Sequence, residues 1–407
     1  MKQVSSLNCM NKNIKDIIKV FTIKNSGNFF SLFYLIVIGK TLSTDQFGLA
    51  TALVAFVGLC GTIYEFLPSI ISKHLSYFSK KNVKDFYYFN LRKYLLLIIF
   101  FGFLIFSSYY IIFSLLKFES FLLLALIIIM FILNGIVKYN DGIILGKQFF
   151  LYHSQANFIL NFFRLIAVFI FLNFFLEIAF VLLSFIFSYF VTIIYQYLKL
   201  KKNFSQNGNL IDKKFDFLSK DAFSIIFVNI IIIFLLNSEL VLSRYFLEEN
   251  TSGIYNGISS IGKISFYLVN ALAPIIIPKT VFLGNKNQNS FKFVSYILIL
   301  IVILTIISSG FYFFLKDHII LLILNENYLK LNFLIFIMNL NYSLLAASSI
   351  LLNFLIVKTS TSRIALCFIP VSLISLLFYS NVNPLFLSLF VLCINLILFI
   401  LLIFLVY

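Results

Sequence analysis

Long apolar runs separated by short polar segments extend along almost the whole chain, and they predict a series of membrane-spanning helices. A helix needs about 20 apolar residues to cross a bilayer. Twelve segments reach this length, so the sequence predicts an all-α polytopic membrane protein with about twelve transmembrane helices. The predicted spans are 22–40, 46–72, 94–115, 119–145, 155–175, 178–198, 220–246, 253–278, 293–315, 331–357, 363–380 and 384–406. The apolar run 318–325 is too short to span and is predicted to lie at the membrane interface.

The most polar internal segment divides these spans into two sets of six. It is the basic stretch 199–219, which contains five lysines and is followed directly by a sixth, Lys220. We therefore predict three regions: an N-terminal six-helix bundle at 1–198, a cytoplasmic basic linker at 199–219, and a C-terminal six-helix bundle at 220–407.

A weak internal repeat supports this division. The segment Gly48–Lys73 resembles the segment Gly253–Lys279, with one inserted residue, and the alignment pairs Gly48 with Gly253. Because each half has an even number of spans, both halves would run in the same orientation. That is the parallel-repeat arrangement, with an axis along the membrane normal.

Polar side chains recur at helical spacing within several spans. A polar stripe on a membrane helix cannot face lipid cheaply, so it faces protein or a wet cavity. The clearest stripe, on the eighth span, places Asn256, Ser260, Lys263, Tyr267 and Asn270 on one helical face. Shorter sets occupy other spans, and the predicted lining of a substrate path comprises Lys24, Asn28, Glu65, Asn161, Arg164, Glu239, Asn256, Lys263, Tyr267 and Asn270.

Charges inside apolar spans need partners, because each costs about 2.5–3.5 kcal/mol at the bilayer centre. Glu239 and Lys263 lie at similar depths, so a cross-helix ion pair is expected. Such a pair would be a packing clip between helices, part of the substrate path, or an ion-coupling site. Arg164 would either pair with Glu65 or extend to the cytoplasmic interface.

Other charged residues lie near the cytoplasmic ends of the predicted helices. Lys24 is either a path residue or an interfacial anchor. Lys138 and Asp141 are interpreted as interfacial residues.

Composition agrees with a membrane protein. Of 407 residues, 61% are hydrophobic and 11% are charged, whereas soluble domains carry about 25% charged residues. If the N-terminus is cytoplasmic, most of the 31 Lys and Arg residues fall in cytoplasmic loops, as the positive-inside rule requires. Both termini are then cytoplasmic. The basic residues predicted to lie outside are Lys40, Lys117, Arg244, Lys316 and Lys330.

The topology accounts for the net charge of +16 without a nucleic-acid partner. The cysteines Cys9, Cys60, Cys367 and Cys393 are scattered, which predicts neither a disulfide framework nor a metal site. No phosphate-binding loop or zinc-hydrolase motif occurs, and every external loop is predicted to be short. The sequence therefore predicts no catalytic residue, no metal and no cofactor, and it leaves a coupling ion open.

Four stretches resemble one family of membrane proteins. TLSTDQFGLATALVAF (Thr41–Phe56) resembles the opening of Wzx-type polysaccharide flippases, and EFLPSIISKHLS (Glu65–Ser76) resembles the exit of their second helix. DGIILGKQFFLYHSQANFILNFFRLIAVFIFL (Asp141–Leu172) looks like their fourth-to-fifth connection. The strongest likeness is NSELVLSRYFLEENTSGIYNGISSIGKISFYLVNALAPIIIPK (Asn237–Lys279). These flippases belong to the larger MATE-like superfamily.

The resemblance implies two six-helix bundles around a V-shaped central cavity. It also implies transport of an undecaprenyl-pyrophosphate-linked oligosaccharide, such as an O-antigen or capsule repeat unit of lipopolysaccharide or capsule biosynthesis, across the bacterial inner membrane. Related peptidoglycan-precursor flippases use cavity cations on the first, second and eighth helices. Lys24 and Lys263 match the first and eighth, whereas Glu65 stands on the second helix, where a cation would be expected.

The implied partners are the lipid-linked oligosaccharide, membrane lipids, and a polysaccharide polymerase with its chain-length regulator, around a monomeric transporter. A MATE-like, cation-coupled exporter of drugs or small molecules is the main alternative. A membrane enzyme such as a polymerase or ligase would need a large external loop with paired charges, and the sequence predicts none.

Overall fold

The structure is a computed structural model, and it describes residues 2–76, 84–174, 177–203, 220–270, 290–358, 365–379 and 382–406. The regular elements in these ranges are helices. Those of the first half are α1 (Lys2–Thr41), α2 (Thr44–Cys60), α3 (Thr62–Glu65), α4 (Leu67–Ser76), α5 (Lys84–Ser107), α6 (Tyr109–Leu116), α7 (Phe121–Gly146), α8 (Phe150–Phe174) and α9 (Ile178–Asn203). Those of the second half are α10 (Lys220–Phe246), α11 (Glu249–Asn270), α12 (Ser290–Ile323), α13 (Leu334–Lys358), α14 (Phe368–Ser372) and α15 (Pro384–Val406), with 3-10 helices at Glu326–Leu331 and Leu373–Tyr379.

The membrane-spanning character predicted from the apolar runs is confirmed. Within the described ranges, 8 helices are long and apolar enough to cross a membrane. The pair Thr44–Cys60 and Thr62–Ser72, bent by 49°, raises the number to 9 if it counts as one span. The predicted spans 22–40, 253–278 and 363–380 lie outside this set, so the total of twelve stays a prediction. The first two carry polar stripes that lower their hydropathy, and residues 271–278 fall outside the described ranges.

Several helix boundaries differ from those predicted. The third span, predicted at 94–115, is divided near Ser108 into α5 and α6. The helix α12 continues to Ile323, into the run 318–325 that the sequence assigned to the interface, and within it only Leu315 leaves the helical region, at φ −116° and ψ 16°. Neither break has a proline, so the hydrophobic pattern could not place it.

One compact unit comprises Met1–Thr41, Ile63–Tyr109 and Ser120–Phe217. In it α8 packs against α1 and α9, and α7 packs against α4, α5 and α9. Leu124, Ile127 and Phe131 on α7 are fully buried. Small residues bring α4 close to α7, since a Cβ on Gly142 would lie 2.9 Å from the Cβ of Ile71.

The other compact unit comprises Leu42–Thr62, Tyr110–Glu119 and Leu218–Tyr407. Its central helix is α13, which packs against α10, α11, α12 and α15. Helix α2, although early in the chain, packs against α10 and α11 in this unit. The predicted boundary at 199–219 stays a prediction, because residues 204–219 lie outside the described ranges.

The start of α2 is fixed by its own sequence. Ser43 caps the helix: its hydroxyl accepts the Gln46 backbone N–H at 3.3 Å, and the Gln46 side chain accepts the Ser43 N–H at 3.3 Å. One turn later, Gly48 meets Gly253 of α11 so closely that a Cβ on Gly253 would lie 2.0 Å from the Thr44 carbonyl oxygen. Two glycines are required where helix backbones approach this closely.

Candidate functional site

A fully buried carboxylate, that of Glu239 on α10, is the centre of a polar network in the second unit. Its Oε1 accepts the Tyr255 hydroxyl at 2.5 Å. Its Oε2 accepts the Tyr342 hydroxyl at 3.1 Å and the Asn341 amide at 3.2 Å. The Asn341 side-chain oxygen in turn accepts the amide of Asn395. Four helices, α10, α11, α13 and α15, are joined through this carboxylate.

Lys263, on α11, lies beside this network rather than in it. Its Nζ is 5.8 Å from the centroid of the Tyr342 ring, and the residue is 7% exposed. The Tyr342 hydroxyl is held by Glu239 and lies 2.7 Å from the Ser259 hydroxyl. The aromatic face under the ammonium is therefore fixed in place, and a cation over such a face is attracted to it.

The expected ion pair between Glu239 and Lys263 is not a contact pair, although the two charges attract each other. The ion pairs among the described side chains do not include it. The hydroxyls of Tyr255 and Tyr342 and the amide of Asn341 donate to the carboxylate instead. Lys263 is therefore not its hydrogen-bond partner. The sequence pattern gave the depth of both charges but not the direction in which each side chain points.

The polar stripe on α11 separates into two parts. Asn256 is fully buried and structural: its amide donates to the carbonyls of Gly48 at 3.2 Å and Leu240 at 3.4 Å, and its oxygen accepts the Ser243 hydroxyl at 2.6 Å. The Ser260 hydroxyl donates to the backbone carbonyl of Asn256 at 2.7 Å.

The other part of the stripe is more open. Tyr267, one turn beyond Lys263, is 53% exposed. The Asn270 side chain lies outside the described residues. Lys263 and Tyr267 are thus the members of the stripe that a substrate would reach, whereas Asn256 has its hydrogen-bonding groups occupied by protein.

Arg164, on α8, is the buried cation of the first unit, at 9% exposure. Its Nη2 donates to Ser31 at 2.8 Å and to Asn161 at 2.7 Å. The guanidinium lies 4.7 Å from the ring centroids of both Tyr34 and Phe185. It is stacked between two aromatic faces, an arrangement that suits the planar guanidinium.

Glu65 pairs with Lys138, and not with Arg164 as one of the expectations had it. Lys138 Nζ lies 2.8 Å from Glu65 Oε2, and the two side chains are 28% and 25% exposed. The pair gives Lys138 a partner within the protein, and its interpretation as an interfacial residue stays a prediction. The hydrophobic pattern could not find this pair, because its members lie 73 positions apart on α3 and α7.

Asp141, one turn after Lys138, is also engaged inside the first unit. Its Oδ1 accepts the Gln196 amide at 2.9 Å and lies 3.0 Å from Nδ1 of His153. Lys24, on α1, interacts electrostatically with both Lys138 and Asp141. Lys24 and Asn28 are half-buried, so they remain accessible as candidates.

A second cluster surrounds Arg244, which is 2% exposed at the end of α10. Its guanidinium donates to the Leu116 carbonyl at 3.1 Å and lies 3.3 Å from a carboxylate oxygen of Glu249. Lys117 Nζ, in turn, donates to the carbonyl of Leu247, just after α10, at 2.7 Å. Burial and the nearby Arg244 charge lower the pKa of the Lys117 amine. Sequence analysis had assigned both cations only to the outer side.

The predicted site residues thus fall into two groups, one in each compact unit. Lys24, Asn28, Glu65, Asn161 and Arg164 belong to the first unit. Glu239, Asn256, Lys263, Tyr267 and Asn270 belong to the second. Their contact with a substrate stays a prediction. Within the described ranges, no cluster of three or more His, Cys, Asp or Glu side chains could hold a metal ion.

The partners of Glu239 were missed for a physical reason. Asn341 and Tyr342 lie on α13, which also carries the polar residues Asn339 and Ser343. That helix is buried nearly all round, with Asn339, Tyr342 and Leu345 each fully buried. A helix buried on every side has no single polar face to read.

Comparison with solved structures shows the fold. The lipid II flippase MurJ in an inward closed conformation matches with a TM-score of 0.68 at 14% identity, covering 97% of this chain and 87% of that one. The eukaryotic MATE transporter AtDTX14 matches at 0.66 and 12% identity, covering 95% and 93%. A MOP superfamily transporter from Pyrococcus furiosus matches at 0.62 and 11% identity, covering 94% and 92%. Identities this low show the fold alone.

Sequence comparison identifies the family. Curated protein sequences give no match. A family profile, however, matches residues 14–281, which is more than half of the chain, and it includes the segments that resemble polysaccharide flippases. The resemblance seen in the sequence is confirmed, and the chain belongs to the polysaccharide biosynthesis protein family.

Proposed function

We propose that the protein flips an undecaprenyl-pyrophosphate-linked oligosaccharide, an O-antigen or capsule repeat unit, across the bacterial inner membrane. The observation that carries the proposal is the family match over residues 14–281 in a chain with the fold of MATE and MurJ transporters. The solved structures that share this fold are transporters and a flippase, which supports movement of a substrate as the role of this polysaccharide-biosynthesis protein.

The side chains suit such a substrate chemically. A pyrophosphate attracts lysine and arginine through charge-assisted hydrogen bonds, and Lys24, Lys263 and Arg164 are the cations offered. Sugar hydroxyls need both donors and acceptors, which Asn28 and Tyr267 supply. The lipid tail would stay in the bilayer while the headgroup crosses a central polar cavity. Alternating access would rock one six-helix bundle against the other.

The surroundings follow from the predicted topology. Both termini are cytoplasmic, because the basic loops then lie inside. The transporter acts as a monomer with the lipid-linked unit, membrane lipids, and a polysaccharide polymerase with its chain-length regulator as partners. The proposal includes no catalytic residue and no cofactor, and it leaves a coupling ion open.

The test is the distribution of the lipid-linked oligosaccharide across the inner membrane. A deletion strain is complemented with the wild type or with Lys263→Ala, and protein levels are matched by immunoblot. We expect the lipid-linked oligosaccharide to accumulate on the cytoplasmic side after deletion. We expect Lys263→Ala to fail to restore its transport. An unchanged distribution after deletion, in a strain with no second flippase, rules the proposal out.

A MATE-like exporter of drugs or small molecules is the second candidate, because the fold is shared with a multidrug resistance MATE transporter at a TM-score of 0.62. Such an exporter would change drug susceptibility on deletion and leave surface polysaccharide normal. The same deletion strain therefore separates the two candidates.

A further inference from the structure

The pair of Lys138 and Glu65 in the first unit is unusual for an ion pair within predicted spans. The two charged atoms are 2.8 Å apart, yet each side chain keeps about a quarter of its surface exposed. A charge exposed at membrane depth cannot face lipid cheaply. The exposed part of this pair therefore faces water, where a polar ligand could approach.

A second cation lies near this pair. Lys24 is half-buried, and its charge is repelled by that of Lys138 and attracted by that of Asp141. Asp141 is already occupied by Gln196 and His153, and its side chain is only 12% exposed. Lys24 and Lys138 are thus the partly exposed cations of this group, and the less exposed Asp141 carboxylate attracts both.

The position of these residues along the helices matters as well. In the predicted topology, Glu65 and Lys138 each lie about two turns of helix before the cytoplasmic end of their span. Lys24 lies near the cytoplasmic start of the first span. A lipid-linked precursor assembled in the cytoplasm would meet this group first.

We propose that Lys24 and Lys138 together form the first binding site for the diphosphate of the lipid-linked substrate, with Glu65 acting as an internal competitor. The proposal rests on the proposed flippase function and names its phosphate-binding residues on the first unit. A diphosphate carries several anionic oxygens and can accept from two ammoniums at once. In the empty protein the Glu65 carboxylate takes the place of one phosphate oxygen at Lys138.

The competitor explains why an acid stands on the second helix. Two uncompensated lysines at membrane depth would be costly to bury and would hold a diphosphate too tightly for a transporter. Because Lys138 exchanges a carboxylate oxygen for a phosphate oxygen, little charge pairing is gained or lost in the step. Binding therefore remains reversible, and the headgroup can move on.

A purely structural role for the pair makes a different prediction. A buried pair that only clips α3 to α7 is damaged equally by removing either partner, because each removal leaves one charge unpaired. In the proposed site the two partners act in opposite directions: Lys138 contacts the ligand, and Glu65 opposes it. The comparison of Lys138→Met with Glu65→Gln separates these roles.

The experiment measures binding of undecaprenyl diphosphate to the purified full-length protein in detergent. We expect Lys138→Met and Lys24→Met each to weaken binding by about tenfold, the effect of losing one charged hydrogen bond. Lys138→Arg keeps the cation and should stay within a few-fold of the wild type. Glu65→Gln should bind at least as tightly as the wild type, although its transport in cells slows because release is slower.

Three further ligands define what the site recognises. If the site binds the diphosphate itself, inorganic pyrophosphate should displace undecaprenyl diphosphate from the wild type. The same concentration of pyrophosphate should displace less of it from Lys138→Met. Undecaprenol, which lacks phosphate, should bind equally to all variants. Circular dichroism checks that each variant is folded. If Lys138→Met or Glu65→Gln unfolds, Lys24→Met still tests the site, because this change does not remove a member of the Lys138–Glu65 pair.

Three results would overturn the site: equal loss in Glu65→Gln and Lys138→Met, unchanged affinity in both lysine variants, or no binding of undecaprenyl diphosphate by the wild type. Unchanged affinity in both lysine variants, together with normal binding by the wild type, would leave the flippase proposal intact. Failure of the flippase proposal itself would instead appear as an unchanged substrate distribution in the deletion strain.

Discussion

Gly48 and Gly253, which the internal repeat aligns with each other, are in direct backbone contact. A Cβ on Gly48 would lie 2.5 Å from the Cα of Gly253. Equivalent positions of a two-fold repeat can touch only beside the axis that relates them, so the predicted repeat would have its axis at this contact. The contact joins α2 to α11, and any side chain there has to push two helix backbones apart.

The first prediction concerns this contact. Gly253→Ala should destabilise the protein by about 1–3 kcal/mol, the usual cost of overpacking. The added methyl would lie 2.0 Å from the Thr44 carbonyl oxygen, a backbone atom that cannot rotate away. The intrinsic helix preference of alanine over glycine, about 1 kcal/mol, does not offset this. Since the chain has no tryptophan, the measurement is a thermal unfolding curve by circular dichroism.

Gly310→Ala on α12 is the matched control for that experiment. A Cβ there meets no other heavy atom within 4 Å, so only the helix preference of alanine acts and the unfolding temperature should stay level or rise. If Gly253→Ala unfolded at the same temperature as Gly310→Ala, the close packing of α2 on α11 would be wrong.

A second prediction tests the network around Glu239. Tyr255→Phe removes the hydroxyl that donates to Oε1 at 2.5 Å and leaves a buried carboxylate oxygen without its donor. The free energy of unfolding should fall by about 1.5–3 kcal/mol, as for a hydrogen bond to a charged group. Tyr110→Phe, at a site 78% exposed, should have no effect. Equal unfolding temperatures for the two variants would show that Glu239 does not depend on Tyr255.

The third prediction addresses the cluster at Arg244. Arg244→Met keeps the volume but leaves the buried Leu116 carbonyl without its donor, so stability should fall by about 1–3 kcal/mol. Glu249→Gln is the control, because its carboxylate is 54% exposed and exposed pairs contribute about 0.2–1 kcal/mol. Urea or thermal unfolding in detergent ranks the two variants. Reversed ranking would mean that the exposed ion pair, and not the carbonyl contacts, holds the cluster together.

The fourth prediction divides the polar stripe of α11. Asn256→Ala should lower the yield of folded protein, because the residue ties Gly48, Leu240 and Ser243 together. Tyr267→Ala should leave the unfolding temperature unchanged and reduce surface polysaccharide in a complemented deletion strain. Fluorescence size-exclusion profiles report folding, and polysaccharide staining reports transport. A well-folded Asn256→Ala that has lost transport would instead place that residue on the substrate path.

The sequence was sufficient for the features that depend on one helix at a time. Apolar length predicted the spans that α7, α10 and α13 form, and helical spacing predicted that Asn256, Lys263 and Glu239 point inward from their helices. The family followed from the segments around Thr41–Phe56 and Asn237–Lys279 and was confirmed.

Features that depend on two helices were not predictable in the same way. Lys138 could be assigned to a depth but not to Glu65 as partner, because only the packing of α3 on α7 brings them together. Tyr342 carries no distinguishing pattern on a helix buried all round, and it still fixes the ring beneath Lys263. Side-chain direction is settled by tertiary packing, which a single sequence leaves open.

The placement of α2 in the second unit has a consequence for biosynthesis. Phe47, Ala52 and Leu53 are fully buried in that unit, yet their partners on α10 and α11 lie about 200 residues later in the chain. At ribosomal rates of about 5–20 residues per second, roughly ten to forty seconds separate the emergence of α2 from that of its partners. During that interval α2 has to remain inserted beside lipid or an insertion factor. Final assembly of this helix is therefore necessarily a late, post-insertion event.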